Sequence, residues 1–506
     1  MKLDRLTAKH PEYDADTWGD YDALYRGGKY FRARIGRFLH KNQFETGEVF
    51  ALRQAHARYR SYVGPIVDFF ASQLMGAPMT TRSANAQTGE PVEQDPFYST
   101  FKEDVDGNGQ DLVDFMRDGF RTALVKQTCW WLASLPSQLG APPANRADWE
   151  ARDLGRVCLH HVEPESVLDW QFDGDGQLLW AIMFEETRPR ESPLDNRGRR
   201  IRTWRIYDRT QIHTFELVLN PDDKDPETDA DVKLKSSELH GFSRVPLVRV
   251  QAPPGLWLMN RVADAQVAHF QDHAALRWAM KMTCYAMPVF HYAEDPMGQS
   301  PLGVGNYLRL GQDDKLSWFA PPSQPFDVIA TEVKSQKDEI YRVAQQMAQG
   351  VDNNAAAVGR SAESKSADSG ATEVCLKAYG AIVREAIDKV YALIVEGRGD
   401  NVRITVEGLD RFNLADAAIV VENTATAKEL CIPSKTLQKA LFQQAAESLL
   451  PSLDQVQKDA IRVEIEAGVE EMAQEAAIAK KRLAEVPPPP ASKPGEPPAQ
   501  TQPPPN

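Results

Sequence analysis

Apolar side chains recur at helical intervals over residues 45–76, where Val49, Leu52, Tyr59, Val63, Ile66, Phe70 and Leu74 define one face. The Gly64-Pro65 pair inside that stretch predicts a kink or a break. A second amphipathic helix is expected over about 110–126, with Leu112, Phe115, Met116, Phe120 and Leu124 facing inward, and an apolar run, CWWLASL, follows it and ends at Pro136. From Arg156 the period changes from helical to alternating. RVCLHHV, SVLDWQF, QLLWAIMFEE, RTWRIYD and QIHTFELVL read as strands, and Asp173-Gly174-Asp175-Gly176 falls where a hairpin turn needs residues tolerant of positive φ. The polar stretch NPDDKDPETDAD reads as an exposed loop, and HGFSRVPLVRV as one more strand, closed by Pro253-Pro254-Gly255. The first half of the chain is therefore expected to be an α+β domain.

Beyond Gly255 the pattern is helical for nearly thirty residues, with Ala263, Ala265, Ala268, Ala275 and Ala279 among larger apolar groups. Such a helix would be about 40 Å long at 1.5 Å per residue, and its small residues permit close approach by a neighbour. Pro288 is expected to end it. Residues 289–325 read as a short β-like insert punctuated by Gly and Pro, and a second helix follows with Ile329, Val333, Ile340, Val343 and Met347 on one side. The segment GVDNNAAAVGRSAESKSADSGA is small and polar, has no means of burying a core, and reads as a loop. A third long helix is expected directly after it, then a strand, VRITVEG, and a terminal helical unit in which Ser434 is an N-cap. The tail PPPPASKPGEPPAQTQPPPN reads as extended or disordered.

Composition narrows the function. With 506 residues, 42% hydrophobic, the chain can bury a large core, while a net charge of −14 sets the molecule as a whole against wrapping nucleic acid. Any nucleic-acid contact is then local or weak. No stretch reaches the roughly 18–20 apolar residues that cross a bilayer, and MKLDRLTAKHPEYDADTWGD lacks the apolar core of a signal peptide, so the chain is expected to be made and kept in a cytoplasm. Five scattered cysteines, Cys129, Cys158, Cys284, Cys375 and Cys431, fit reduced thiols better than a disulfide framework or a zinc site.

Motifs that carry chemistry are fragmentary. Asp104-Val105-Asp106-Gly107-Asn108-Gly109 copies the first half of a calcium loop, but Asp111 stands where that loop is apolar and Phe115 where it has its bidentate glutamate. His269 and His273 share a helical face in HFQDH, without the glutamate a zinc protease uses as base. Cys158 and His160 point to one side of their strand and His161 to the other. Gly303-Val304-Gly305 is too short for a dinucleotide fingerprint, no GxxxxGK[ST] occurs, and Ser243 lacks the context of a nucleophile elbow. Lys480-Lys481-Arg482 most simply solvates a helix end. No catalytic residue, metal or cofactor is assigned.

The phrases YRSYVGPIVDFFASQLMGAP, HHVEPESVLDWQFDGDGQLLWAIMFEE and GFSRVPLVRV, followed by the long helix, together with the order of elements after them, resemble the portal (head-to-tail connector) family of tailed double-stranded DNA phages. The resemblance spans about residues 45–485 and rests on order more than on any one phrase. It implies an α+β portal-type fold: a wing over residues 1–255 with 400–425 returning to it, stem helices at 256–288 and 326–350, and a small β clip at 289–325. A tunnel loop at 351–371, a long helix at 372–399, a helical crown at 426–486 and a proline-rich tail at 487–506 complete it.

The function so implied is physical rather than enzymatic. About twelve copies form a ring at one capsid vertex, which serves as channel for DNA packaging and ejection. Terminase, the major capsid protein and the head-tail adaptor are the implied protein partners, the virion is the implied location, and assembly takes place in the bacterial host cytoplasm. Asn353, Asn354, Arg360 and Lys365 of the tunnel loop are the implied DNA-facing residues. A minor head or assembly protein, and a soluble α+β enzyme of unrecognised type, are the alternatives the sequence leaves open.

Overall fold

The computed structural model describes residues 1–77, 79–93, 95–136, 143–190, 198–220, 223, 225–226, 230–283, 287–291, 315–319, 324–345, 362–410, 412, 424–425, 434–449 and 460–470. The chain divides into two compact units, Met1–Phe412 and Asn413–Asn506. The first opens with helices α1 (Leu3–Leu6), α2 (Ala15–Arg26), α3 (Gly28–Ala33), α4 (Ile35–Phe38), α5 (Gly47–His56) and α6 (Val63–Met75). Strand β1 (Met79–Asn85), helices α7 (Pro96–Glu103) and α8 (Leu112–Lys126), strand β2 (Thr128–Ser134) and helix α9 (Arg146–Ala151) follow. Then come β3 (Cys158–Val162), β4 (Val167–Phe172), β5 (Leu178–Thr187), β6 (Arg200–Tyr207), β7 (Gln211–Leu219), β8 (Lys233–Leu239) and β9 (Leu247–Gln251). The architecture is α+β, as expected.

Strands β4 to β8 form an antiparallel meander in sequence order, turned at its first hairpin by Asp173, whose carboxylate accepts from the Asp175 and Gln177 amides, and by Gly176 at φ +76°. Alternation along these strands puts apolar groups on both faces, and each face meets a different layer. Val167, Trp170, Ala181, Met183 and Tyr207 pack with Trp130, Leu132, Val162 and Leu247 of a second sheet, ordered β3-β2-β9. Leu168, Ile182, Trp204 and Phe215 are covered by Leu3 and Leu6 of the N-terminal helix. The apolar run after α8 is β2, central in its sheet and buried on both faces, which is why its sequence does not alternate. All five inward residues expected of α8 are buried.

The expected helix over 45–76 is two helices, and the break falls at 57–62, ahead of Gly64-Pro65. Pro65 sits in the first turn of α6, where its missing N–H costs no helical bond. The break corrects the face as well. Tyr59, off the helix, stacks on Phe31 at 3.8 Å, while Val49 and Leu52, expected inward, are exposed.

Helix α10 (Leu258–Thr283), strands β10 (Met287–His291) and β11 (Lys315–Phe319), helices α11 (Gln324–Gln345) and α12 (Ala362–Arg398), and strand β12 (Val402–Gly408) complete the first unit. The two short strands pair antiparallel, Met287 opposite Phe319 and His291 opposite Lys315, so Pro288 lies in a strand. Helix α12 starts ten residues before the expected boundary, so 362–371 is helix rather than loop. AESKSADSGA carries no large apolar residue, yet its Ala, Glu and Lys are good helix formers, and extending an existing helix avoids the cost of nucleation. Strand β12 pairs with β1 in the register Met79 to Gly408. In the second unit, α13 (Lys435–Leu449) is capped by Ser434, whose hydroxyl accepts from the Leu437 amide at 3.3 Å, and residues 460–470 are helical.

Candidate functional site

Helices α10 and α11 form an antiparallel pair. The Gln336 amide donates to Asp272 at 2.6 Å, and Tyr62 lies against both His269, at 5.0 Å, and Tyr341, at 6.1 Å. The first half of α10 is anchored through buried Leu258, Met259, Val262, Ala263 and Phe270. Gln266, fully buried, accepts from the Tyr62 amide at 2.9 Å and donates to the Arg60 carbonyl at 3.1 Å. It thereby satisfies backbone groups that the break at 57–62 leaves without helical partners.

The segment leaving α5 carries cations onto the outer turns of α10. Arg53, His56, Arg58, Arg277, Trp278 and Lys281 line a pocket of about 370 Å³. Arg53 is buried and neutralised, donating to both oxygens of Glu45, and that guanidinium holds the Glu45 carboxyl below the usual carboxylate range. The Lys281 ammonium meets His56 Nε2, and the Trp278 ring lies nearly parallel to that imidazole with centroids 6.4 Å apart. Arg34 and Arg37, by contrast, share Asp20, and Arg200 and Arg202 share Asp225. Among the described residues, Arg58, Arg60, Arg277 and Lys281 form no ion pair with a carboxylate. Their field reaches the interior of the helical pair. Burial, then Arg277 and Arg60, push the His273 imidazole down, and burial, His273 and Arg60 do the same to His269. A concave surface with uncompensated positive charge and an indole wall is suited to an anion bearing an apolar or planar group.

The residues singled out in the sequence go elsewhere. Asn353, Asn354 and Arg360 lie outside the described residues, as do Gly303-Val304-Gly305 and Lys480-Lys481-Arg482; Lys365 lies on α12, near its start. The Asp104 carboxylate is occupied, accepting from the Gly107 and Gly109 amides at 2.8 and 2.9 Å and from Arg156 at 2.5 Å. Asp106 accepts from the Asn108 and Gln110 amides, which hold its carboxyl below the usual range. The calcium-like hexapeptide is thus a self-satisfied turn leading into α8. His160 pairs with Ser134 at 2.9 Å on one side of its sheet, while His161 stacks on Phe115 at 3.9 Å on the other. His269 and His273 stack on each other at 5.9 Å, and no group of three metal-ligating side chains occurs among the described residues. The cationic pocket was missed because its parts are far apart in sequence. Its only local signal is the interleaving of base and aromatic in Arg58-Tyr59-Arg60 and Arg277-Trp278.

Comparison with protein families and with curated proteins finds no match for this chain.

Proposed function

We propose that this chain is a portal-type subunit, one member of a closed ring at a single vertex of a tailed-phage capsid, through which double-stranded DNA is packaged and ejected. The observation that carries the reading is the order of elements beyond the first α+β layers: a 26-residue helix, a short antiparallel ribbon, a 22-residue helix returning along the first, and then a 37-residue helix. On this reading α10 and α11 are the stem and β10 and β11 belong to the clip. The wing is 1–255 with 400–425, and the crown is 426–486. The subunit performs no covalent chemistry. It supplies a channel and a seat for terminase, the major capsid protein and the head-tail adaptor, and it resides in the virion after assembly in the bacterial cytoplasm.

Closure of a ring requires each copy to offer a contact surface to the next. Phe44, Val49 and Leu52, at 93%, 38% and 53% exposure within one short segment, support such a surface, because apolar groups clustered in the open mark contact sites more often than isolated ones do. The net charge of −14 supports a passage that lets phosphates slide rather than holding them. Negative-stain electron microscopy of the purified full chain tests the proposal. Ring-shaped particles with a central hole are expected, and a field of small solid particles at every protein concentration would refute it.

A further inference from the structure

The pocket between the end of α5 and the outer turns of α10 has no part in the ring reading, and its chemistry points to a ligand of its own. Three observations converge there. Three cationic side chains that line the pocket, Arg58, Arg277 and Lys281, have no carboxylate partner among the described residues, in a chain whose net charge is −14. The space they border is a concavity of about 370 Å³, within the size range of small-molecule sites and far larger than one inserted carboxylate needs. One wall is aromatic, formed by the indole of Trp278 beside the His56 imidazole.

Carboxylate partners elsewhere in the chain meet one or two cations each, as Asp20 and Asp225 do. A surplus of this size is matched by an anion of higher charge, and guanidinium groups bind phosphate oxygens through paired N–H donors. The indole adds a face on which a planar ring can stack. We propose that this pocket binds the phosphate of a nucleotide, with the base against Trp278. Arg58 and Arg277 engage the phosphate oxygens and Lys281 adds a third donor. Recognition runs through side-chain cations rather than a backbone cradle, in keeping with the absence of a GxxxxGK[ST] loop from the sequence, and it involves binding without hydrolysis. The nucleotide can be free or part of a nucleic-acid strand, since both present the same phosphate and ring.

Calorimetric titration of the full chain with ATP, AMP, inorganic phosphate and a short single-stranded oligothymidine tests this at low salt. Saturable binding of ATP is expected, weakening as salt is raised. The double variant R58E/R277E is expected to lose tenfold or more in affinity with an unchanged thermal midpoint. If that variant fails to fold, R58Q/R277Q is the replacement, with the same expected direction. Trp278→Ala is expected to weaken ATP while leaving inorganic phosphate unaffected. An oligothymidine that binds at least tenfold tighter than ATP identifies a strand as the source, and equal or weaker binding identifies the free nucleotide. Three results would overturn the inference: no saturable binding by any of the four probes, equal affinities in wild type and variant, or a variant altered only in its self-association, which would make the pocket a seat for an acidic surface of a second copy. Ring formation is scored separately by microscopy, so failure of either idea leaves the other standing.

Discussion

Arg398 and Asp400 meet just beyond the end of α12 in a space shared with Tyr98 and Arg146. Asp400 accepts from Arg398 Nε, from the Tyr98 hydroxyl and from Arg146, each at 2.8 Å, while the Arg398 guanidinium lies 3.7 Å from the centre of the Phe97 ring. Burial alone would raise the Asp400 carboxyl, but its hydrogen bonds from Arg398 and Tyr98 outweigh that and hold it below the ordinary value. With Arg398 only 6% exposed and its other carboxylate, Asp95, 3.9 Å away and half exposed, Asp400→Asn removes its close counter-charge and is expected to cost about 3 kcal/mol, whereas Tyr98→Phe removes one hydrogen bond and costs about 1 kcal/mol. Equal losses in urea unfolding would contradict this ordering.

His240 gives the pH dependence at the same scale. It is 8% exposed, its Nδ1 accepts from the Phe242 amide at 3.2 Å and its Nε2 faces the Asp208 carbonyl at 3.1 Å, a pattern that only the neutral ring satisfies. Burial pushes this imidazole below the ordinary 6.5. The unfolded chain therefore binds the proton first, so the stability is present above 6.5 and is lost as pH falls toward the lowered folded value. Urea midpoints are expected to drop between about pH 7.5 and about pH 5.5. His240→Gln, less stable at the upper pH, is expected to lose less over the same interval; an equal or steeper loss would remove His240 from the account. None of these contacts was legible in the sequence, because Arg398 and Tyr98, or His240 and Asp208, are brought together only by tertiary packing.

At the scale of elements, legibility followed burial. Helix α8 was readable because one side of it is buried and the other is not, and strands β4 to β7 because they are short runs of β-branched and aromatic residues bounded by turn signals, although both of their faces are covered. Strand β8 was missed since KLKSSEL is an edge strand, paired only with β7 and exposed almost throughout. Strand β1, MTTRSAN, owes its existence to β12 far along the chain. Gly380 marks another such dependence. A Cβ there would fall 1.8 Å from the Leu409 carbonyl oxygen, where the chain turns with Leu409 at φ +56° to bring β12 alongside α12. Gly380→Ala must push backbone away from backbone and is expected to destabilise by about 1–3 kcal/mol despite the better helix propensity of alanine. Stability equal to or above wild type would show that α12 and β12 are less tightly registered than described.

For the whole molecule, the order of elements in Met1–Phe412 and the acidic balance of the chain bear on one claim, that copies assemble into a closed ring. The cationic pocket is a local exception to that balance rather than a reversal of it. The decisive quantity is the mass of the assembled particle, by light scattering on the full chain across a range of concentrations and salt. The account predicts a discrete species of about twelve subunits of 56.6 kDa each, stable on dilution as a closed symmetric assembly is. A monomer or dimer under every condition, or an open series of masses growing with concentration, would contradict it.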